Sequence, residues 1–342
     1  MRAGIAAAII ALAALATPST AARAQSDALV KAARAEGQVT WYITHYPADV
    51  AEETGRAFTR KFPGITVNVF RTTAQVAYQR LLQDLRENVA QCDVFSSTDI
   101  GHYVNLKKQN RLAKFHPENA DKLIAEFRDY DPDGFYYPTN AGLVILAYNT
   151  RKVSAADAPT TWRDLIDPKW RGRVAVGHPG FSAYVGTWVV MMSQLYGWDY
   201  FEKLDKNDPL IGRSINDTVT ALNSGERWIA ASAAQTVLEN VGRGNPLAIV
   251  YPTDGALLMV APSAVKANAP HPNAARLLLE FLLDVEHSRI VVDNGGISLR
   301  PEVPLKPPAK SFREVKIIRP TEAQIVDGIP KVIEKWRDTF GG

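Results

Sequence analysis

Apolar positions along this chain recur at two spacings, and the two alternate. Val39 to Thr44 (VTWYIT) is a short run rich in β-branched and aromatic residues, and Ile65 to Phe70 (ITVNVF) alternates apolar with polar; both predict strands. Around them the spacing lengthens to that of an amphipathic helix. It does so over Ser26 to Glu36, with Ser26 or Asp27 as N-cap and Gly37 as stop, and over Ala48 to Phe62, ended by Pro63-Gly64. A third helical stretch, Ala74 to Asn88, is opened by Arg71-Thr72-Thr73. Cys92 to Phe95 predicts a further strand, closed by Ser96-Ser97-Thr98-Asp99, and a helix follows through Asn110. Such alternation predicts a mostly parallel sheet with helices on both faces.

Gly134 to Thr150 (GFYYPTNAGLVILAYNT) breaks that rhythm. A turn at Asp131-Pro132-Asp133-Gly134 leads through two tyrosines and Pro138 into the apolar run Leu143 to Tyr148, which reads as a buried strand leaving one lobe for another. Beyond it the pattern resumes. Val174 to Val176, Trp228 to Ala231 and Leu247 to Tyr251 predict strands. Ser182 to Tyr196, Ile215 to Leu222 and Ser232 to Val241 predict helices. Leu257 to Ala261 is a second apolar crossing, followed by a helix over Ala274 to Leu283, an Asn294-Gly295-Gly296 turn, an extended Pro301 to Pro308 stretch and a terminal helix, Ala323 to Phe340, interrupted at Pro330. The fold class expected is α/β with two lobes, each a mixed sheet flanked by helices and a ligand cleft between them. The boundaries expected are lobe 1 over 25–138, lobe 2 over 139–256, a return to lobe 1 over 257–297, and a C-terminal helical segment, 298–342, packed on lobe 2.

Length agrees with two lobes, since 342 residues exceed one compact core. Arg2, the apolar run Ile5 to Ala16 and the small residues Ala22 and Ala24 follow the order of a secretory signal peptide, 1–24, cleaved after Ala24; the run is short of the ~20 residues a spanning helix needs. Export to a periplasm follows as the expected location. The single cysteine, Cys92, leaves no internal disulfide and reads as a small buried residue. The net charge of +3 comes without Lys/Arg clusters, so no nucleic acid is expected as partner.

Candidate chemistry gathers at the carboxyl ends of the first three strands, where open α/β sheets hold ligands. Those ends carry His45-Tyr46, Arg71-Thr72 and Ser96-Ser97-Thr98, and each opens a helix whose N-terminus favours an anion. The second lobe offers Ser182 and Tyr184 in the first turn of a helix after a Pro-Gly turn, and the return crossing offers Thr253 and Asp254, the latter suited to an amine or hydroxyl. Phe181, Tyr46 and Tyr137 are candidates to stack on an apolar portion of a ligand. Arg71 is the expected clamp on an anionic or zwitterionic solute.

Several segments in this order resemble a known family: the leader, a strand ending in a His/Tyr turn, VFSSTD, the YNT crossing, DAPTTWRDLIDPKWRGRVAV, GHPGFSAY, YPTDGALLMVAPSAV, and APHPNAARLLLEFLL with VVDNGG. The chain is similar over nearly its whole mature length to extracellular solute-binding proteins of ABC importers, in the iron(III)-type branch. The resemblance implies the type II periplasmic-binding fold, a monomer, closure of the cleft on a small-molecule solute, and delivery to an inner-membrane ABC permease. Ferric binders of that branch carry paired tyrosines where this chain reads Ala230 to Gln235, and hard Fe(III) wants phenolate oxygen. No metal and no cofactor are therefore expected, with His45 the alternative metal position. A ferric-iron protein or a ligand-binding subunit of a sensor kinase are the other readings. An enzyme is not expected. Gly180-Phe181-Ser182-Ala183-Tyr184 lacks the last glycine of a nucleophile elbow, H-E-x-x-H and C-x-x-C are absent, and the six histidines show no metal-ligand spacing.

Overall fold

The computed structural model describes residues 20–89 and 91–341, with side chains from residue 27 onward. Residues 1–19 of the expected leader lie outside the described residues, and its cleavage site is untested; Thr20 to Ala24 open the first helix, which therefore starts ahead of the expected N-cap. In chain order the elements are α1 (Thr20–Glu36), β1 (Gln38–Ile43), α2 (Ala48–Lys61), β2 (Thr66–Arg71), α3 (Ala74–Arg86), β3 (Val94–Ser96) and α4 (Ile100–Lys108). There follow β4 (Tyr137–Asn149), β5 (Val174–Gly177), α5 (Ala183–Tyr196), α6 (Asp199–Lys206), β6 (Leu210–Gly212), α7 (Asp217–Ser224), β7 (Ile229–Ala233), α8 (Ala234–Gly242) and β8 (Leu247–Val250). The chain closes with β9 (Ala256–Val265), α9 (Pro272–Leu282), α10 (Val285–Asp293), β10 (Ile317–Ile318) and α11 (Glu322–Phe340).

The strands run β2-β1-β3-β9-β4-β7-β5-β6 through one continuous sheet, with β8 beside β4 and β10 beside β9. The outer pairs β1–β2, β1–β3, β5–β6 and β5–β7 are parallel, as βαβ crossovers require. At the centre β9 is antiparallel to both β3 and β4, so each lobe is mixed. The two central strands are the two crossings read from the sequence. β4 is buried at all of its thirteen positions and pairs with β9 from Tyr137 opposite Ser263 to Val144 opposite Leu257. A register shift between Pro138 and Asn140 breaks the ladder, because Pro138 has no N–H to give it.

Helices pack apolar stripes on both faces of the sheet. Trp41, Phe58 and Leu278 belong to one buried cluster, and Phe95, Trp162, Trp188 and Trp336 to the other. The C-terminal segment divides between the lobes, where the sequence suggested one. Phe312 packs against Phe127 of the first lobe, Ile317 and Ile318 pair in parallel with the start of β9, and α11 lies mainly on α5. Gly186 and Gly328 let α5 and α11 approach closely: a Cβ at Gly328 would sit 2.8 Å from Val190. Pro330 lies inside α11 without interrupting it, because this packing holds the helix on both sides of the proline. Four elements carried too little pattern to be read: α6, α10, the three-residue β6 and the two-residue β10.

Candidate ligand cleft

The two lobes meet over the carboxyl ends of β1 and β2. The Gln75 amide at the start of α3 donates to the Phe181 carbonyl of the second lobe at 3.4 Å, and Arg243 at the end of α8 pairs with Asp49 of α2 at 2.8 Å. The buried polar atoms that have no hydrogen-bond partner among the described residues include several on the elements that bound this junction: Thr44 Oγ1, both ring nitrogens of His45, Thr73 Oγ1, Gln75 Oε1, Asn140 Oδ1 and Gln235 Nε2. Thr44, His45 and Thr73 are each 8% exposed and Asn140 is 2% exposed. A buried polar atom without a partner costs on the order of 1–3 kcal/mol, so several together mark a place built for an absent one.

Each orphan has a local cause. Thr44 and His45 are the first two residues after β1, and Thr73 is the N-cap residue of α3. Its hydroxyl makes no cap bond, and Ser182 at the start of α5 and Ala233 at the start of α8 make none either. Three helix N-termini are thus left without side-chain caps. Asn140 interrupts the apolar crossing strand just after its register shift. Gln235 stands in the first turn of α8, whose flank is fixed by Gly295 and Gly296; the Gln235 amide carbon lies 3.1 Å from where a Cβ of Gly296 would stand.

Arg71 ends β2 beside this group. Its Nε donates to the Tyr46 carbonyl at 2.7 Å, and that is its one hydrogen bond among the described residues. No carboxylate among the described residues lies within salt-bridge distance; Asp217 of α7 acts on it from farther off, opposing the lowering of its pKa that burial causes. The guanidinium is half-buried and carries an unanswered charge. Burial, with Arg71 and His287 nearby, holds the His45 imidazole down at about 3, so it is neutral and able to donate from one nitrogen and accept at the other.

The structure separates the sequence-predicted residues into three groups. His45, Arg71, Ser182 and Tyr184 stand at the junction of the lobes, and Thr72 gives its amide to the Ile43 carbonyl between them. The Tyr184 hydroxyl reaches to 3.5 Å of a Cβ at Gly142, and burial pushes its phenol pKa well up, so it stands neutral. Phe181 is 38% exposed at the mouth of the cleft. Tyr46 and Tyr137 are fully or nearly buried and do not stand free to stack. The Tyr46 hydroxyl is 3.2 Å from His287 Nε2, and that of Tyr137 is 3.3 Å from His116 Nδ1.

The other predicted positions are turned away. Ser96 is completely buried in a chain of hydroxyls from Trp41 Nε1 through Ser263 to Thr139, because a three-residue strand between β1 and β9 aims it inward. Ser97 meets His102 Nδ1 at 2.9 Å and closes the turn before α4. Thr98 lines a hollow of about 130 Å³ with Tyr130, Met259 and Arg319. Thr253 bonds through its amide to the Thr160 carbonyl. Asp254 Oδ2 accepts from the Trp162 amide at 2.9 Å and from the Tyr196 hydroxyl and so braces the loop before β9, while its Oδ1 is buried without a partner among the described residues. A wider hollow, about 770 Å³ between α2 and β2, holds none of the orphaned atoms and opens on the sheet edge.

Thr44, Asn140, Asp217 and Gln235 were not legible as site residues, whereas Thr73 was legible with Arg71 and Thr72 at the carboxyl end of β2. Asn140 left a signal, a lone amide in an apolar run; the others depend on which way a loop or a first helical turn faces.

Comparison with known proteins agrees with this architecture. Residues 91–319 match the model of a family described as bacterial extracellular solute-binding protein. A putative 2-aminoethylphosphonate-binding periplasmic protein of Salmonella typhimurium is 25% identical over 280 residues, covering 78% of this chain and 77% of that one. Among solved structures, the periplasmic binding protein AfuA of Actinobacillus pleuropneumoniae, with fructose 6-phosphate bound, superposes with a TM-score of 0.79 at 19% identity, covering 89% and 98% of the two chains. Iron-bound HitA of Pseudomonas aeruginosa superposes at 0.74 with 21% identity, covering 88% and 99%. Proteins of this kind bind small solutes and deliver them to ABC permeases. By the family match and by its two-lobed fold, the chain belongs to the bacterial extracellular solute-binding protein family and is the solute-capturing component of an importer.

Proposed function

We propose that the cleft captures a small organic solute bearing a phosphonate or phosphate group, and that the protein does so as a monomer in the periplasm, without catalysis, for an inner-membrane permease. The observation that carries this is Arg71: a half-buried guanidinium with no carboxylate partner, beside the uncapped start of α3 and the orphaned Thr44, His45 and Thr73. A buried unpaired cation is costly, and a bound oxyanion answers it and the free donors together. A fully ionised phosphonate brings three acceptor oxygens, which suits a guanidinium, two hydroxyls and an imidazole N–H better than one carboxylate does. The binding names carried by the Salmonella relative and by AfuA point to the same chemical class.

Asp217 gives the cleft a second pole. It acts electrostatically on Arg71 from the other lobe, makes no salt bridge among the described residues, and is held by the Ser214 amide at 2.8 Å. A zwitterion, with its anion on Arg71 and an ammonium group toward Asp217, satisfies both charges. Closing the lobes around such a solute completes its contacts, which is how a hinged two-lobed protein couples occupancy to shape. Calorimetry of refolded protein with 2-aminoethylphosphonate, fructose 6-phosphate, citrate, glycine and ferric citrate tests the reading. One-to-one binding of a phosphorylated or phosphonate probe supports it, and binding of ferric citrate alone overturns it.

A further inference from the structure

Arg213 is an exposed cation at the mouth of the cleft that the contacts described so far leave without a role. It follows β6 in the second lobe, and its guanidinium lies 5.1 Å over the ring of Phe181, itself 38% exposed. The Phe181 carbonyl is the group that takes the Gln75 amide from the first lobe, so Phe181 and the guanidinium above it stand where the lips of the two lobes meet. Arg213 forms no salt bridge among the described residues, and the next residue, Ser214, is the one that holds Asp217. An arginine over an aromatic face is restrained without being neutralised, because the ring offers a quadrupole and no counter-charge.

The cleft therefore has two unneutralised arginines at different depths. Arg71 is half-buried with orphaned donors around it; Arg213 is exposed and its neighbour is a ring. A charge fixed at a rim raises the encounter rate of an oppositely charged partner, whereas a buried charge in contact slows its departure. We propose that Arg213, parked on Phe181, is the residue that draws the anionic solute into the cleft, acting on association and taking no part in the bound contact set. This rests on the anionic-solute reading above.

Stopped-flow binding of 2-aminoethylphosphonate and of fructose 6-phosphate, across sodium chloride concentrations, tests it with Arg213→Gln, Phe181→Leu and Arg71→Lys. Arg213→Gln is expected to lower the association rate about threefold to tenfold at low salt, to leave the dissociation rate within about twofold, and to converge with wild type once salt shortens the screening length to a few ångströms. Phe181→Leu, which keeps the cation and removes its rest, is expected to fall between the two. Arg71→Lys is expected to change mainly dissociation. An Arg213→Gln protein with unchanged association, or one whose loss lies in dissociation, overturns the proposal. Failure of the solute reading looks different, since wild type itself then binds neither probe.

Discussion

At the scale of single residues, the cleft is defined by what its side chains lack. Arg71 has one hydrogen bond, to a backbone carbonyl, and no acid beside it. Arg71→Ala is therefore expected to weaken binding of a phosphorylated solute at least about 100-fold by calorimetry, in line with about 2–4 kcal/mol for a charge-assisted contact in a closed site, with Arg71→Lys recovering part of it. Asp254 differs in that its Oδ2 is doubly engaged, although its Oδ1 has no partner among the described residues. Both of its documented bonds, to Trp162 and Tyr196, lie within the second lobe. Asp254→Ala is expected to cost about 1–3 kcal/mol in urea unfolding and to leave the dissociation constant within about twofold; a large loss of affinity without loss of stability would return Asp254 to the cleft. The same contrast explains which site residues the sequence disclosed. His45 follows β1 and Arg71 ends β2, strands whose period is plain, so their place at the sheet's carboxyl edge follows from topology. Ser96 ends a strand too, but its hydroxyl is claimed by Trp41 and Ser263, partners 55 and 167 residues away that no local pattern announces.

At the scale of elements, β4 and β9 are the frame on which the cleft is built, and both were readable because a long apolar run between turns has few other uses. What stayed hidden was the fine placement of first helical turns. α8 shows why. Its start is set by the close approach of Gly295, whose φ is +76° and whose Cβ would lie 2.8 Å from the Glu239 amide and 2.9 Å from the Gln235 carbonyl. Glycine answers both the backbone angle and the space. Gly295→Ala is expected to lower stability by about 1–3 kcal/mol and also to weaken solute binding, because α8 carries Gln235 and must shift. Gly64→Ala is the control: φ is +95° there too, yet nothing lies within 4 Å, so it should pay only for the backbone and leave binding unchanged. Equal effects of the two substitutions on binding would contradict this placement of Gln235. The parallel outer strands, the two crossings and the order of helices were legible; α10 was not, since its nine residues mix His, Ser and Arg among the apolar ones.

At the scale of the whole molecule, the closed cleft ties stability to pH. Burial, first of all, holds His45 at about 3 and His287 at about 4, against an ordinary value of 6.5. A histidine whose folded pKa is depressed binds fewer protons folded than unfolded between those two values. Its stabilising effect is then complete above pH 6.5 and is lost as pH falls from 6.5 toward 4 and 3. Solute-free protein is expected to lose stability over that window, by at most about 1.4 kcal/mol per pH unit for each histidine, and His287→Gln should flatten the slope measured by urea unfolding at pH 7.5, 5.5 and 4.5. A slope of the opposite sign would mean that these rings are charged in the folded protein. Closure itself joins parts of the chain far apart in sequence, Gln75 to Phe181 and Asp49 to Arg243, around the unpaired Arg71. The most direct test of the central claim, that this closed cleft is built for an organic oxyanion, is isothermal titration of refolded protein and of Arg71→Ala with 2-aminoethylphosphonate and fructose 6-phosphate. One-to-one, micromolar or tighter binding of at least one of them by the wild type, lost in the variant, is the expected result; binding that Arg71→Ala leaves intact would contradict an oxyanion site built on Arg71.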